Sequence, residues 1–215
     1  DVKMTIARTY EEQEEWSKAS NANYAFYSKA KDTTSVDFVY FSRLRHARAL
    51  EKLKQNAKAM KIFEESVDLY KKLSASGAEK GQYTEYAAEM MYELIAPDVD
   101  AYQKLKVTSL GRGYAQKYED RHQARQLKAL NEQAKTLKEK YTEVVATGSG
   151  QWSLASLVQL GRVLEMYGKA LEESETPFYL SDDQQEMYRI ALGDMIFPQI
   201  EQAVGFYKQS LDKAY

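Results

Sequence analysis

Apolar residues recur along this 215-residue chain at steps of three and four, and no stretch alternates apolar and polar residues as a strand would. The pattern predicts eight helices. The first covers about 2–30 and carries Ile6, Tyr10, Trp16, Tyr24 and Tyr27, with Thr9 and Glu12 at capping-box spacing. The KDTTS stretch (31–35) breaks it. Helices follow at about 36–53 and 56–73, then a linker SASGAEKG (74–81). A fourth helix covers about 82–95 and stops before Pro97, and a short fifth, about 98–108, ends at Ser109-Leu110-Gly111-Arg112-Gly113.

A long sixth helix, about 114–146, places Leu127, Leu130, Ala134, Leu137, Tyr141 and Val144 at alternating steps of three and four. That is a heptad stripe of about two and a half heptads. The seventh helix lies in GSGQWSLASLVQLGRVLEMYGKALE (148–172), with Trp152 at its start and Gly161 in its middle. After the loop ESETPFYL (173–180), Ser181 and Gln184 form a second capping box and start the eighth helix. Pro198 is expected to kink or split that helix.

One ladder repeats. Leu50, Leu53, Ala59, Phe63 and Ser66 fit two packed helices joined by a tight turn at Lys54-Gln55-Asn56. A small residue lets the helices approach, the aromatic four positions on fills the space beyond, and a second small residue recreates the notch. Ala203, Tyr207, Ser210 and Ala214 repeat the ladder, and Leu137, Tyr141 and Val144 give a weaker version. These residues resemble the tetratricopeptide repeat family, in which that spacing lies on the second helix of each hairpin and a leucine-glycine pair lies on the first. Leu160-Gly161 matches the pair, flanked by Leu157 and Leu164; His46-Ala47 and Ala87-Ala88 are degenerate versions. Gly161 then removes a side chain where a partner helix crosses, and Trp152 covers a hairpin end.

The resemblance implies an all-α fold: an irregular α-solenoid of antiparallel helical hairpins with one long central helix. A single domain over 1–215 is expected, with subregions 1–110 and 111–215 on either side of the SLGRG break. Residues 137–215 are also similar to periplasmic tetratricopeptide-like proteins of gliding motility and cell-envelope complexes in myxobacteria and their predatory relatives. That similarity rests on Tyr141, Val144, Gly150, Trp152, Leu160, Gly161, Thr176, Pro177, Tyr188, Pro198, Glu201 and Ala203, while Val158-Gln159 depart from it. It implies a periplasmic protein whose leader has been trimmed, the alternative being cytoplasmic.

A formal net charge of -2 lacks the basic excess of a general nucleic-acid binder. With no cysteine in the chain, disulfides and thiolate catalysis are excluded. The uncharged run Val144–Gly161 is interrupted by Thr147-Gly148-Ser149-Gly150-Gln151, so no membrane span is expected. Glu119-x-x-His122 has the spacing of a di-iron carboxylate motif, but a second such motif is missing, since Arg43 stands where a glutamate should precede His46. Glu119 and Asp120, set among Lys117, Arg121 and Arg125, read as a solvated helix face. No phosphate loop or nucleophile elbow is present.

The expected function is therefore a non-catalytic protein-interaction scaffold with no metal or cofactor, binding a protein or peptide rather than a small molecule. Repeat scaffolds bind through the concave side lined by their first helices. Here that side carries Leu44, Arg45, Arg48, Glu89, Tyr92, Arg162 and Glu165. Its arginines suit an acidic peptide or C-terminal carboxylate, or else pair with Glu51, Glu64 or Glu65. Two alternatives stand beside this reading. One is a structural bundle dimerising through the 127–144 stripe, and the other an accessory helical domain of a cell-wall enzyme.

Overall fold

Several helices of the computed structural model begin or end at a local signal in the sequence. The structure describes residues 2–30 and 34–214, so most of the 31–35 break lies outside the described residues. Nine helices and no strand occur among the described residues: α1 (Val2–Glu12), α2 (Trp16–Tyr27), α3 (Val36–Lys52), α4 (Asn56–Ala75), α5 (Tyr83–Glu93), α6 (Ala96–Tyr102), α7 (Gln116–Thr147), α8 (Gly150–Glu172) and α9 (Asp182–Ala214). The protein is all-α.

The expected first helix is two helices. Glu14 takes a left-handed backbone (φ 57°), and the Glu15 and Glu14 amides close back on the carbonyls of Tyr10 and Glu11. This double closure is the Schellman stop, which normally uses glycine. Lys54 (φ 58°) ends α3 in the same way, with Gln55 and Lys54 bonded back to Leu50 and Glu51. Gly77 ends α4 with the residue type the motif favours. Thr9 caps nothing: it lies inside α1, its hydroxyl donates to the Thr5 carbonyl, and Glu12 pairs with Arg8. The second capping box is present, as the Ser181 amide donates to Gln184 Oε1 (3.0 Å) and the Gln184 amide to Ser181 Oγ (3.4 Å). Pro97 falls in the first turn of α6, a position that tolerates proline. Pro198 does not split α9, which runs unbroken from Asp182 to Ala214.

The chain forms two compact units, Asp1–Leu94 with Thr147–Trp152, and Ile95–Ala146 with Ser153–Tyr215. The Ser109–Gly113 break lies inside the second of them. In the first unit α1 packs on α2, α2 on α3, α3 on α4 and α5, and α4 on α5. Its core holds Tyr40, Ala47, Ala59, Phe63, Ala87, Ala88 and Met90, each about fully buried. Tyr40 donates through its hydroxyl to the Ser66 carbonyl (3.1 Å), so the small Ser66 admits an aromatic ring that bonds the α4 backbone. Asp37 Oδ1 accepts the Tyr83 amide (2.6 Å) and satisfies a free donor at the start of α5.

The second unit packs α8 against α9. A Cβ at Gly161 would lie 2.5 Å from ring carbons of Tyr207, and one at Gly168 would touch Ile196 (3.3 Å). Gly161 is thus where a partner helix crosses. Leu130, Ala134, Leu137, Tyr141 and Val144 of the α7 stripe are buried within the chain, and Leu127 is half-buried, which leaves the stripe little free surface for a second copy. Glu119 is not on a solvated face: it is fully buried, whereas Asp120 is exposed and accepts the Tyr179 hydroxyl. Glu119 Oε2 accepts the Leu110 amide (2.7 Å) and Oε1 accepts Gln123 Nε2 (3.0 Å). Gln123 Nε2 also reaches the Glu175 carbonyl (3.0 Å), and the Glu175 amide donates to the Val107 carbonyl (3.0 Å). Two irregular segments, 107–110 and 173–175, are thereby pinned to the first turns of α7.

Candidate binding surface

Side chains of α3 and α5 at steps of three and four share one face of each helix. On α3 they are Phe41, Arg45 and Arg48, and on α5 Tyr86, Glu89 and Glu93, all part-exposed. Phe41 packs on Tyr86, ring centroids 5.5 Å apart. Arg48 meets three carboxylates: Glu93 (2.6 Å), Glu89 (2.7 Å) and Glu51 (2.9 Å). Burial works against its charge, but the hydrogen bonds to Glu93, Glu89 and Glu51 outweigh that cost and raise its pKa. Arg45 pairs with Glu11 of α1, and its pKa is lowered by burial and then by the nearby Arg8. Tyr92 packs against Trp152 in a tilted pair, ring centroids 5.1 Å apart, so Trp152 covers the end of α5. At the α1 side a cleft of about 400 Å³ is lined by Arg8, Glu11, Trp16, Phe41 and Arg45 among others.

Of the seven residues the sequence assigned to a binding face, four lie on this surface: Arg45, Arg48, Glu89 and Tyr92. Leu44 is a core residue of the same unit, 6% exposed, and cannot meet a partner. Arg162 and Glu165 are exposed on α8 in the second unit, beside Tyr207. Burial and a hydrogen bond to Glu165 push the Tyr207 hydroxyl up to about 12. The sequence reading missed Phe41, Tyr86, Glu93 and Glu11. Spacing could have found the first three, since Phe41 is one turn before Arg45 and Glu93 one turn after Glu89. Charge is distributed differently from expectation. Arg8, Arg45 and Arg48 face Glu11, Glu12, Glu51, Glu89 and Glu93, three cations to five carboxyls, so the excess is negative.

On another side of α3, His46 sits against Tyr27, whose hydroxyl is 2.9 Å from Nδ1, and Tyr24 packs on the same ring. Burial, and then the Arg43 charge, hold His46 down to about 4 from the ordinary 6.5. A neutral ring with its proton on Nε2 accepts from Tyr27, and protonation removes that acceptor. A depressed folded pKa leaves stability whole above about pH 6.5. As pH falls from there toward about 4, the unfolded chain takes up a proton the native state refuses, and stability is lost. Thermal midpoints at about pH 7.5 and about pH 4.5 should therefore fall further for the parent than for His46→Asn. Equal losses would show that His46 does not carry this dependence.

Among the described residues no group of three or more histidine, aspartate or glutamate side chains is placed to hold a metal ion. No helix among the described residues is long and apolar enough to cross a membrane. What the described residues define is an all-α protein with a half-exposed aromatic and charged surface on its first unit. Comparison with protein-family models, with curated proteins and with solved structures found no match.

Proposed function

We propose that this chain is a non-catalytic protein-interaction scaffold, an irregular stack of tetratricopeptide-like hairpins that binds a segment of a partner protein along α1, α3 and α5. The observation that carries this reading is the row Phe41, Tyr86, Tyr92 and Trp152, half-exposed rings alternating with fixed charges on the first helices of consecutive hairpins. Aromatic rings held by neighbours supply contact area at little entropic cost. The order of packing, α3 on both α4 and α5, supports a stack. The partner segment is basic rather than acidic, because the arginines are already paired and two carboxyls remain in excess. A lysine or arginine of the partner would sit at Glu89 and Glu93, and an apolar side chain would enter the cleft by Trp16 and Phe41. The likeness of residues 137–215 to envelope-complex proteins supports a periplasmic site of action.

Selection of binders from a random peptide library on the immobilised chain tests this. The expected consensus holds a basic residue spaced from an aromatic or aliphatic one. Tyr86→Ala and Glu93→Gln should each weaken the selected peptides by about tenfold, equivalent to about 1.4 kcal/mol. An acidic consensus, or peptides indifferent to both substitutions, would refute the assignment.

A further inference from the structure

The outward face of α7 changes character along its length. At about 100° per residue, Lys117, Arg121, Arg125 and Lys128 fall within an arc of about 80°, opposite the buried Glu119, Gln123 and Leu130. All four are exposed, and they span about 16 Å of helix. Lys128 pairs with Glu132 at 3.7 Å, whereas Lys117, Arg121 and Arg125 have no ion pair among the described residues. Beyond them the same face carries Glu132, Lys135, Glu139 and Glu143, so the cations gather at one end.

The carboxylates nearest this ridge are engaged elsewhere. Glu119 is buried beneath it, Asp120 accepts the Tyr179 hydroxyl, and Glu175 accepts the Ser109 amide (2.7 Å). Arg112 and Tyr114, both exposed, precede the helix on the segment that Glu119 and Glu175 fasten. The order of charge also opposes the helix. The N-terminal end of a helix is its positive end and favours anions. Here Lys117 occupies the first turn, Arg112 stands just before it, and the last turn holds no basic residue. α7 gains nothing from that arrangement, and its three unpaired cations have no carboxylate inside the chain that would explain it.

We propose that this ridge docks on an anionic bilayer surface. The centre of a protein interface is depleted of charge, but here cations alternate with Ala124 and Tyr118. A single strand of nucleic acid needs open ring faces for its bases, and Lys117 Nζ lies 5.0 Å over the Tyr118 ring. A duplex would take the ridge into its major groove. One phosphate strand would then meet the flank where Asp182, Asp183 and Glu186 outnumber Arg189, since Tyr179 and Tyr188 tie that segment to Asp120 and Gln123. A bilayer meets the ridge as a plane and leaves that flank in water. Lysines and arginines then pair with headgroup phosphates, each strengthening attachment about fivefold. The half-exposed Tyr114 and Tyr118 rings sit at headgroup depth. The ridge belongs to the second unit and shares no residue with the peptide-binding surface.

Cosedimentation of the chain with vesicles of equal parts phosphatidylglycerol and phosphatidylcholine should show binding in about 0.1 M salt that is lost by about 0.5 M. Vesicles of phosphatidylcholine alone should not bind it. Arg121→Gln with Arg125→Gln should weaken binding about 25-fold through two lost cations. The thermal midpoint should not change, since neither arginine has an ion pair in the chain. Arg112→Gln with Lys117→Gln should weaken binding by a like factor, while Lys61→Gln with Lys72→Gln, two exposed lysines of the first unit, should not. Equal binding to neutral vesicles, equal loss in all three double variants, no binding to either vesicle, or tighter binding to a short single-stranded or duplex DNA would overturn the proposal.

Discussion

Leucine at Gly161 is expected to lower stability by about 3 kcal/mol, the upper end for overpacking a filled crossing. Even the first added carbon would stand 2.5 Å from the Tyr207 ring, well inside van der Waals contact. Leucine also improves helix propensity over glycine by somewhat under 1 kcal/mol, which offsets only part of the clash. The ring could swing outward, but that would break its hydrogen bond to Glu165. Urea midpoints measure the loss. A midpoint equal to the parent's would mean that α8 and α9 do not cross at this residue.

Glu119→Ala should cost about 2–4 kcal/mol, because a buried donor deprived of its acceptor costs about 1–3 kcal/mol and two donors are affected. The Leu110 amide has Glu119 Oε2 as its partner at 2.7 Å, while Gln123 keeps the Glu175 carbonyl and suffers less. Hydrogen exchange separates this from general destabilisation. The Leu110 amide should exchange faster by more than the global loss predicts, whereas amides in the middle of α3 should follow the global loss alone. Uniform acceleration would show that Glu119 does not fasten the 107–110 segment.

These two sites differ in how far the sequence reveals them. Gly161 is legible because its cause is local: a glycine in a leucine-rich helix interior carries a propensity cost that only a close crossing explains. Glu119 is not legible, since its surroundings in sequence are charged and its burial comes from Val107–Leu110 and Glu175, the latter more than fifty residues away. Arg48 lies between the two. Its bond to Glu51, three residues on, follows from helix spacing, but Glu89 and Glu93 belong to α5 and reverse the local excess of charge. The α1–α2 break escaped because Glu14 makes a turn that composition assigns to glycine, leaving no punctuation in the sequence. Boundaries of α3, α4, α7 and α8 came within a few residues because the hydrophobic period ends where the backbone does.

The first unit is closed by residues made late. Its main segment ends at Leu94, and Thr147–Trp152 returns to it after residues 95–146 have been laid down in the other unit. That return supplies the Ser149 hydroxyl, held at 2.5 Å, and the Gly150 amide, at 3.0 Å, to the Glu85 carboxyl. It also brings the Thr147 carbonyl to Lys80 and the Trp152 ring to Tyr92. At about 5–20 residues per second, a ribosome needs roughly 3–10 s to cover the interval. For that time Glu85 waits for Ser149 and Gly150, and the Tyr92 ring for Trp152. Translation speed between codons 95 and 152 thus sets how long each new molecule stays in that state.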